Sequence, residues 1–270
     1  MNSTDARFLG SIPAIYEEHL VPLLFEPYAR DLAARLSDLR EGLLIELAAG
    51  TGAVTRTFMQ ALPPAVRIAA TDLNEAMLRI GQSRASAPSV SWQQADALKL
   101  PFEDASANAI ACQFGVMFFP DKRASFREAR RVLAANGRYV FNVWDSLERN
   151  EVSDVVCRAV AALFPDDPPR FFARTPFGYA DVAAIRADLE SAGFDRIDIE
   201  TVEKVSRSRS AESVAIGLCQ GTPLRGEIEA RDPDRLAEAT AAATEVLASR
   251  FGRGAFDNRM SAHVVTAWRS

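Results

Sequence analysis

Between residues 43 and 144 the chain alternates regularly between two kinds of segment, and this constrains its fold more than any other feature. Short strand candidates, most of them apolar, stand at 43–45, 66–70, 90–94, 109–114 and 139–144. Between them, apolar residues recur at helical spacing: Val54, Phe58 and Leu62, then Met77 and Ile80, then Phe126, Ala129 and Leu133. Strands that start roughly 20 to 30 residues apart with a helix between them do not close as hairpins. They pair in parallel through right-handed crossovers, which put helices on both faces of the sheet. Two further runs, 197–200 and 262–268, predict a doubly wound, seven-stranded, mostly parallel α/β sheet.

The flanks read as additions to that core. Residues 1–40 predict an N-terminal helical cap, with Pro27 in a first turn followed by Tyr28, Leu32, Leu36 and Leu39 at helical period. Ile15, Leu20, Leu23 and Leu24 mark a second, less regular helix before it. Asn136-Gly137 predicts the turn into the fifth strand. After that strand come a helical stripe from Val152 to Leu163, a Pro-rich aromatic stretch, and a helix bracketed by Asp181 and Gly193. Helices at 211–219 and 233–250 predict an insertion into the last hairpin. The expected segments are 1–40 for the cap, 41–204 for the core, 205–258 for the insertion and 259–270 for the final strand.

A net charge of −5 argues against a broad nucleic-acid footprint. Cys112, Cys157 and Cys219 are odd in number and far apart, which fits a reducing, cytoplasmic setting. His19 and His263 cannot build a His-rich metal site, so no metal is expected. Residues 1–7 lack the apolar stretch of a signal peptide. No run reaches the about 18 apolar residues of a membrane span. The sequence does not decide between monomer and homodimer.

The segment with chemical content is Glu46-Leu47-Ala48-Ala49-Gly50-Thr51-Gly52, where a strand ends in glycines and opens a helix. Such a corner lets backbone N–H groups approach a ligand with no Cβ in the way. Three acids accompany it: Glu46 within the first strand, Asp72 at the end of the second, and Asp96 just after the third. All three map to the carboxyl ends of adjacent strands, where open α/β sheets bind ligands and where a carboxylate can accept ribose hydroxyls.

On these residues the chain resembles the class I S-adenosylmethionine-dependent methyltransferases, in the branch of the ubiquinone-biosynthesis-type C-methylating enzymes. The likeness covers residues 43–144. It implies a Rossmann-like methyltransferase fold and S-adenosylmethionine as cofactor, with S-adenosylhomocysteine as product. It also implies that Ala48, Gly50, Thr51 and Gly52 form the cofactor turn, Gly50 and Gly52 flanking the methionine part, and that Asp72 holds the ribose. Leu73 and Met77 would line the adenine, with Asp96 at its exocyclic amine and the Ala97 N–H at its ring. Gln113 would line the methionine side. Leu133 to Gly137 resembles the turn before the fifth strand. Ala48 stands where the usual first glycine would be, and its methyl group is expected to fit if φ there is below zero.

A methyl on a sulfonium is already activated, so in-line transfer to a small-molecule acceptor needs mainly orientation and exclusion of water. A general base is needed only for a protonated acceptor, and Tyr16, His19 and Asp145 are the candidates. Tyr16 and Tyr28 are expected to pack the cap against the cofactor mouth. The acceptor pocket is expected above the fourth and fifth strands, lined by Phe118, Trp144, Phe171, Phe172, Phe177 and Tyr179, with Arg170, Arg174 and Arg225 available to an acidic substrate. A nicotinamide oxidoreductase fits poorly, because Thr55 occupies the last position of its Gly-x-Gly-x-x-Gly fingerprint and no Tyr-x-x-x-Lys pair exists. A non-catalytic cofactor-binding sensor or partner subunit is the remaining alternative.

Overall fold

The computed structural model describes residues 10–270; the reading of residues 1–7 lies outside them. A continuous helical run opens the description: α1 (Ile12–Ile15), a π-helical stretch (Tyr16–Phe25) and α2 (Glu26–Arg35). The alternation then unfolds as β1 (Gly42–Leu47), α3 (Ala53–Ala61), β2 (Val66–Asp72), α4 (Glu75–Arg84), β3 (Val90–Gln94), β4 (Ala107–Gln113), α5 (Lys122–Val132) and β5 (Leu133–Trp144). After it come α6 (Glu151–Leu163), α7 (Phe171–Arg174), α8 (Val182–Ser191) and β6 (Arg196–Arg207). The last elements are α9 (Ala211–Gln220), α10 (Leu224–Arg231), α11 (Leu236–Phe251) and β7 (Asp257–Trp268).

The seven strands form one sheet in the order β3-β2-β1-β4-β5-β7-β6. Strands β1 to β5 pair in parallel, whereas β7 runs antiparallel to β5. This is the doubly wound, mostly parallel sheet that the spacing predicts. The order reverses between β1 and β4, and such a switch point is where open α/β sheets bind ligands.

Contacts divide the chain into two compact units. Of the described residues, one unit holds Gly10–Pro27, Asp145–Gly178 and Glu203–Ser261; the other holds Tyr28–Trp144, Tyr179–Val202 and Ala262–Ser270. This division differs from the segments expected from sequence, and side-chain packing explains why. Ala29, Leu32 and Leu36 of the expected cap share one buried cluster with Leu44, Phe58 and Val140, so α2 belongs with the sheet. Helix α6, placed by sequence in the core, packs instead on α9 and α11. Within that helical unit Gly217 lets the π-helical stretch approach α9, since an added Cβ would stand 2.7 Å from Leu20 Cδ2.

Three local readings change. Asn136-Gly137 does not precede β5 but interrupts it. Leu133 pairs with Ala107 and Arg138 with Ala109, so the residues between them loop out, with Asn136 at φ +63°. Strand β6 runs on to Arg207 rather than ending near 200, and helices α7 and α10 were not foreseen. The four-residue α7 is too short to carry a periodic signal.

Candidate functional site

The corner between β1 and α3 is built from left-handed backbone. Gly50 has φ +57° and Gly52 φ +80°, conformations that disfavour any L side chain. The two glycines differ in surroundings. A Cβ on Gly52 would meet Trp92 Cη2 at 2.7 Å, and one on Gly81 of α4 would meet the same ring at 2.5 Å. Trp92 therefore wedges between α4 and the corner, its Nε1 donating to the Ala85 carbonyl at 2.9 Å. At Gly50 the nearest atom to an added Cβ is Met77 Cε at 3.6 Å, so that side of the corner is open. Gly81 and Trp92 are the parts that sequence reasoning missed, because neither forms a motif by itself.

Ala48 also lies in the left-handed region, at φ +51°. The methyl group therefore fits without the negative φ set as its condition. The strain of about 1–2 kcal/mol is tolerated because Gly115 leaves room for the methyl group: a Cβ on Gly115 would stand 2.5 Å from Ala48 Cβ.

Asp72 ties this corner to the end of β2. One carboxylate oxygen accepts the Gly50 N–H at 2.8 Å and the other the Asn74 N–H at 2.7 Å. Asn74 in turn caps α4, accepting from the Ala76 N–H at 2.9 Å. Burial raises the Asp72 carboxyl above its usual range, against the opposing pull of these backbone N–H groups. Glu46 is 2% exposed and accepts a hydrogen bond from Thr55 Oγ1 at 2.6 Å. Burial, reinforced by the charge of Asp72, pushes its carboxyl up to about 8.

Around this pair, Met77 is buried whereas Leu73, the residue after Asp72, is 60% exposed. Thr51 Oγ1 is buried and makes no hydrogen bond among the described residues. Asp96 is exposed and holds its own turn, accepting the Leu98 N–H at 2.9 Å, with Ala97 half-buried inside that turn. Gln113 ends β4, half-buried, in register with Asn142 of β5. Glu46, Ala48, Gly50, Thr51, Gly52, Asp72, Leu73, Met77, Asp96, Ala97 and Gln113 all lie in the sheet-bearing unit.

Tyr16, His19 and Asp145 belong to the helical unit. His19 Nδ1 shares a hydrogen bond with Ser213 Oγ at 2.9 Å. Asp145 accepts the Ser146 N–H at 2.6 Å and the Ser261 hydroxyl at 2.8 Å. Tyr16 stacks at a tilt on Phe25, with ring centroids 4.9 Å apart. Tyr28 is fully buried, its hydroxyl donating to the Val202 carbonyl at 2.9 Å, so it is core rather than a ligand contact. Of the arginines, Arg174 pairs with Glu227 at 2.6 Å and Arg225 with Glu229 at 2.7 Å, which leaves little charge to offer an acidic substrate. Tyr179 donates to Asp188 at 2.8 Å and lies under the Lys122 ammonium. The aromatic residues expected to line one acceptor pocket fall in both units: Phe171, Phe172 and Phe177 in the helical one, Phe118, Trp144 and Tyr179 in the other.

Comparison with known proteins bears directly on this geometry. Residues 44–137 match the family model described as a methyltransferase domain. The ubiquinone/menaquinone biosynthesis C-methyltransferase UbiE of Burkholderia mallei is 30% identical over 168 residues, which cover 58% of this chain and 68% of that protein. Among solved structures, the YcgJ protein from Bacillus subtilis superposes with a TM-score of 0.57 at 18% identity, covering 90% of this chain and 98% of that one. A phosphoethanolamine N-methyltransferase 2 from Haemonchus contortus, in complex with S-adenosylhomocysteine, superposes with a TM-score of 0.61 at 13% identity, covering 95% of this chain and 56% of that one. At such identities the structures show a shared fold. The chain belongs to the class I S-adenosylmethionine-dependent methyltransferases, in the ubiquinone-type branch. It is an enzyme that uses S-adenosylmethionine to methylate a small-molecule acceptor.

Proposed function

We propose that the cofactor sits on the β1–α3 corner, held by Gly50, Thr51 and Gly52 at its methionine part and by Asp72 at its ribose. Leu73 and Met77 flank the adenine, Asp96 and Ala97 meet its edge, and Gln113 lines the methionine side. The observation that carries this reading is the Asp72 carboxylate, which is anchored by two backbone N–H groups. A carboxylate has more acceptor positions than these donors fill, and that suits a vicinal diol. Three further features fit an adenosyl group: the open side of Gly50, the buried unpartnered hydroxyl of Thr51, and the 60% exposure of Leu73. An exposed leucine beside a fixed carboxylate has an apolar flat partner to gain.

When bound, S-adenosylmethionine supplies a methyl group already activated on a sulfonium. The work left to the chain is to orient and to exclude water, through a corner that backbone geometry fixes before the ligand arrives. Tyr16, His19 and Asp145 remain the proton acceptors to test should the acceptor arrive protonated. The hydrogen bonds His19 and Asp145 already make favour a supporting role for both. The likeness to a carbon-methylating relative favours carbon as the atom methylated. The acidic balance favours an acceptor other than nucleic acid. Three free cysteines, together with the absence among the described residues of a helix able to cross a membrane, favour a cytoplasmic location.

Calorimetry with S-adenosylhomocysteine tests the proposal. Wild type is expected to bind in the micromolar range, and Asp72→Ala at least about tenfold more weakly, about 1.4 kcal/mol. Equal binding by a folded Asp72→Ala protein would remove Asp72 from the site.

A further inference from the structure

Asn142 is the polar residue of an otherwise apolar strand end, Tyr139-Val140-Phe141-Asn142-Val143-Trp144, and it is fully buried. Its Nδ2 makes no hydrogen bond among the described residues, so this side chain costs stability where a leucine would not. Its Oδ1, however, accepts the Phe114 N–H at 2.9 Å. The same N–H also reaches the Asn142 backbone carbonyl at 3.2 Å, so satisfying that donor does not require the side chain.

Phe114 is in an unusual state. Its backbone is left-handed at φ +50°, which is rare for a bulky residue. Its ring stacks on Trp144 with centroids 3.7 Å apart and planes 8° from parallel, and Tyr28 packs edge-on against both rings. The next residue, Gly115, stands directly against Ala48, the other strained non-glycine of this region, leaving no room there for a Cβ. Strands β1 and β4 are neighbours, and Leu47 is in register with Cys112, so the two strained turns leave the sheet side by side.

We propose that Asn142 is a positioning residue for the cofactor turn, acting through Phe114 and Gly115 on Ala48. The side-chain amide locks the left-handed turn at Phe114. That turn seats Gly115 against the Ala48 methyl, and Ala48 then holds the β1 corner that presents Gly50. The strain at Ala48 is set by the chain's departure from glycine at this position, which makes the corner depend on its neighbour for shape. The inference rests on the corner being the cofactor site.

Four proteins test it: wild type, Asn142→Leu, Ala48→Gly, and the double variant. Leucine has the same number and branching of side-chain heavy atoms as asparagine, so Asn142→Leu is expected to fold, with a modest fall in melting temperature from its bulkier methyl groups. It is expected to lose about tenfold in affinity for S-adenosylhomocysteine, about 1.4 kcal/mol, and to change its tryptophan emission as the stack on Trp144 loosens. Ala48→Gly relaxes the corner and removes the methyl against Gly115, so in the Asn142→Leu background it is expected to restore at least about threefold of the loss, a coupling on the scale seen for neighbouring residues. Asn142→Asp keeps the acceptor oxygen, so at a pH low enough to protonate its buried carboxyl it is expected to bind within about threefold of wild type at that pH. A merely structural Asn142 would shift the melting temperature and leave affinity and emission alone. A folded Asn142→Leu that binds within about twofold of wild type overturns the proposal, as does an Ala48→Gly effect equal in both backgrounds. Should Asn142→Leu fail to fold, Asn142→Ser carries the same expectations. Wild type that does not bind S-adenosylhomocysteine would refute the cofactor site itself. The coupling is then read from urea unfolding of the same proteins, where additive free energies overturn the inference.

Discussion

Replacing Glu46 by glutamine isolates one buried carboxyl whose charge the fold resists. Burial beside Asp72 pushes this group from 4.5 up to about 8. Because its affinity for a proton is higher folded than unfolded, the folded chain keeps a proton that the unfolded chain releases above pH 4.5. The stabilisation is complete below the unfolded value, shrinks as pH rises, and is gone above about 8. Each pKa unit is worth about 1.4 kcal/mol, so the full span amounts to about 5 kcal/mol, with about 3 kcal/mol lost by pH 7. Glutamine has no proton to lose, and its carbonyl oxygen can still accept the Thr55 hydroxyl. The difference in unfolding free energy, Glu46→Gln minus wild type, is therefore expected to climb by about 1.4 kcal/mol per pH unit between pH 5 and 8 and to level off beyond. Asp72 titrates in both proteins, and only its coupling to Glu46 enters the difference. Urea unfolding at intervals of one pH unit from 5 to 9 measures it. Parallel curves for the two proteins would show that Glu46 ionises normally and would refute the burial argument.

Other perturbations separate the parts of the corner. Gly52→Ala forces a Cβ into the Trp92 ring at a left-handed position, and is expected to cost at least about 2 kcal/mol of stability by thermal unfolding. Gly50→Ala meets only Met77 at van der Waals distance and is expected to lose about 1–2 kcal/mol from backbone strain, while calorimetry is expected to show a far larger fall in S-adenosylhomocysteine affinity. Ala48→Gly in wild type relieves a similar strain but loosens the unfolded chain, so its net effect on thermal stability is expected to stay within about 1 kcal/mol. Tyr28→Phe removes the donor to the Val202 carbonyl and is expected to destabilise by about 1 kcal/mol without altering cofactor affinity; a changed affinity would place Tyr28 at the ligand.

Much of this protein could be read from neighbouring residues alone. The spacing of apolar runs dictated parallel pairing, because a strand followed by a helix has no other way to bury both faces. Gly50 and Gly52 announced a corner with no Cβ in the way, and Asp72 announced a strand end, since each signal is local backbone chemistry. Tertiary structure decided the rest. Asn136-Gly137 has the composition of a turn, yet the β4 register makes it an interruption within β5. Ala48 gave no sign of a positive φ, because the space its methyl needs is supplied by Gly115, far along the chain. Trp92 finds Gly52 and Gly81 only when β3 pairs with β2 and α4 packs beside them. The titration of Glu46 follows from burial and from Asp72 on the neighbouring strand, neither of which its own sequence neighbours specify. Periodicity and turn chemistry act over a few residues, whereas steric fit and dielectric environment are set by whichever distant residues the sheet brings together.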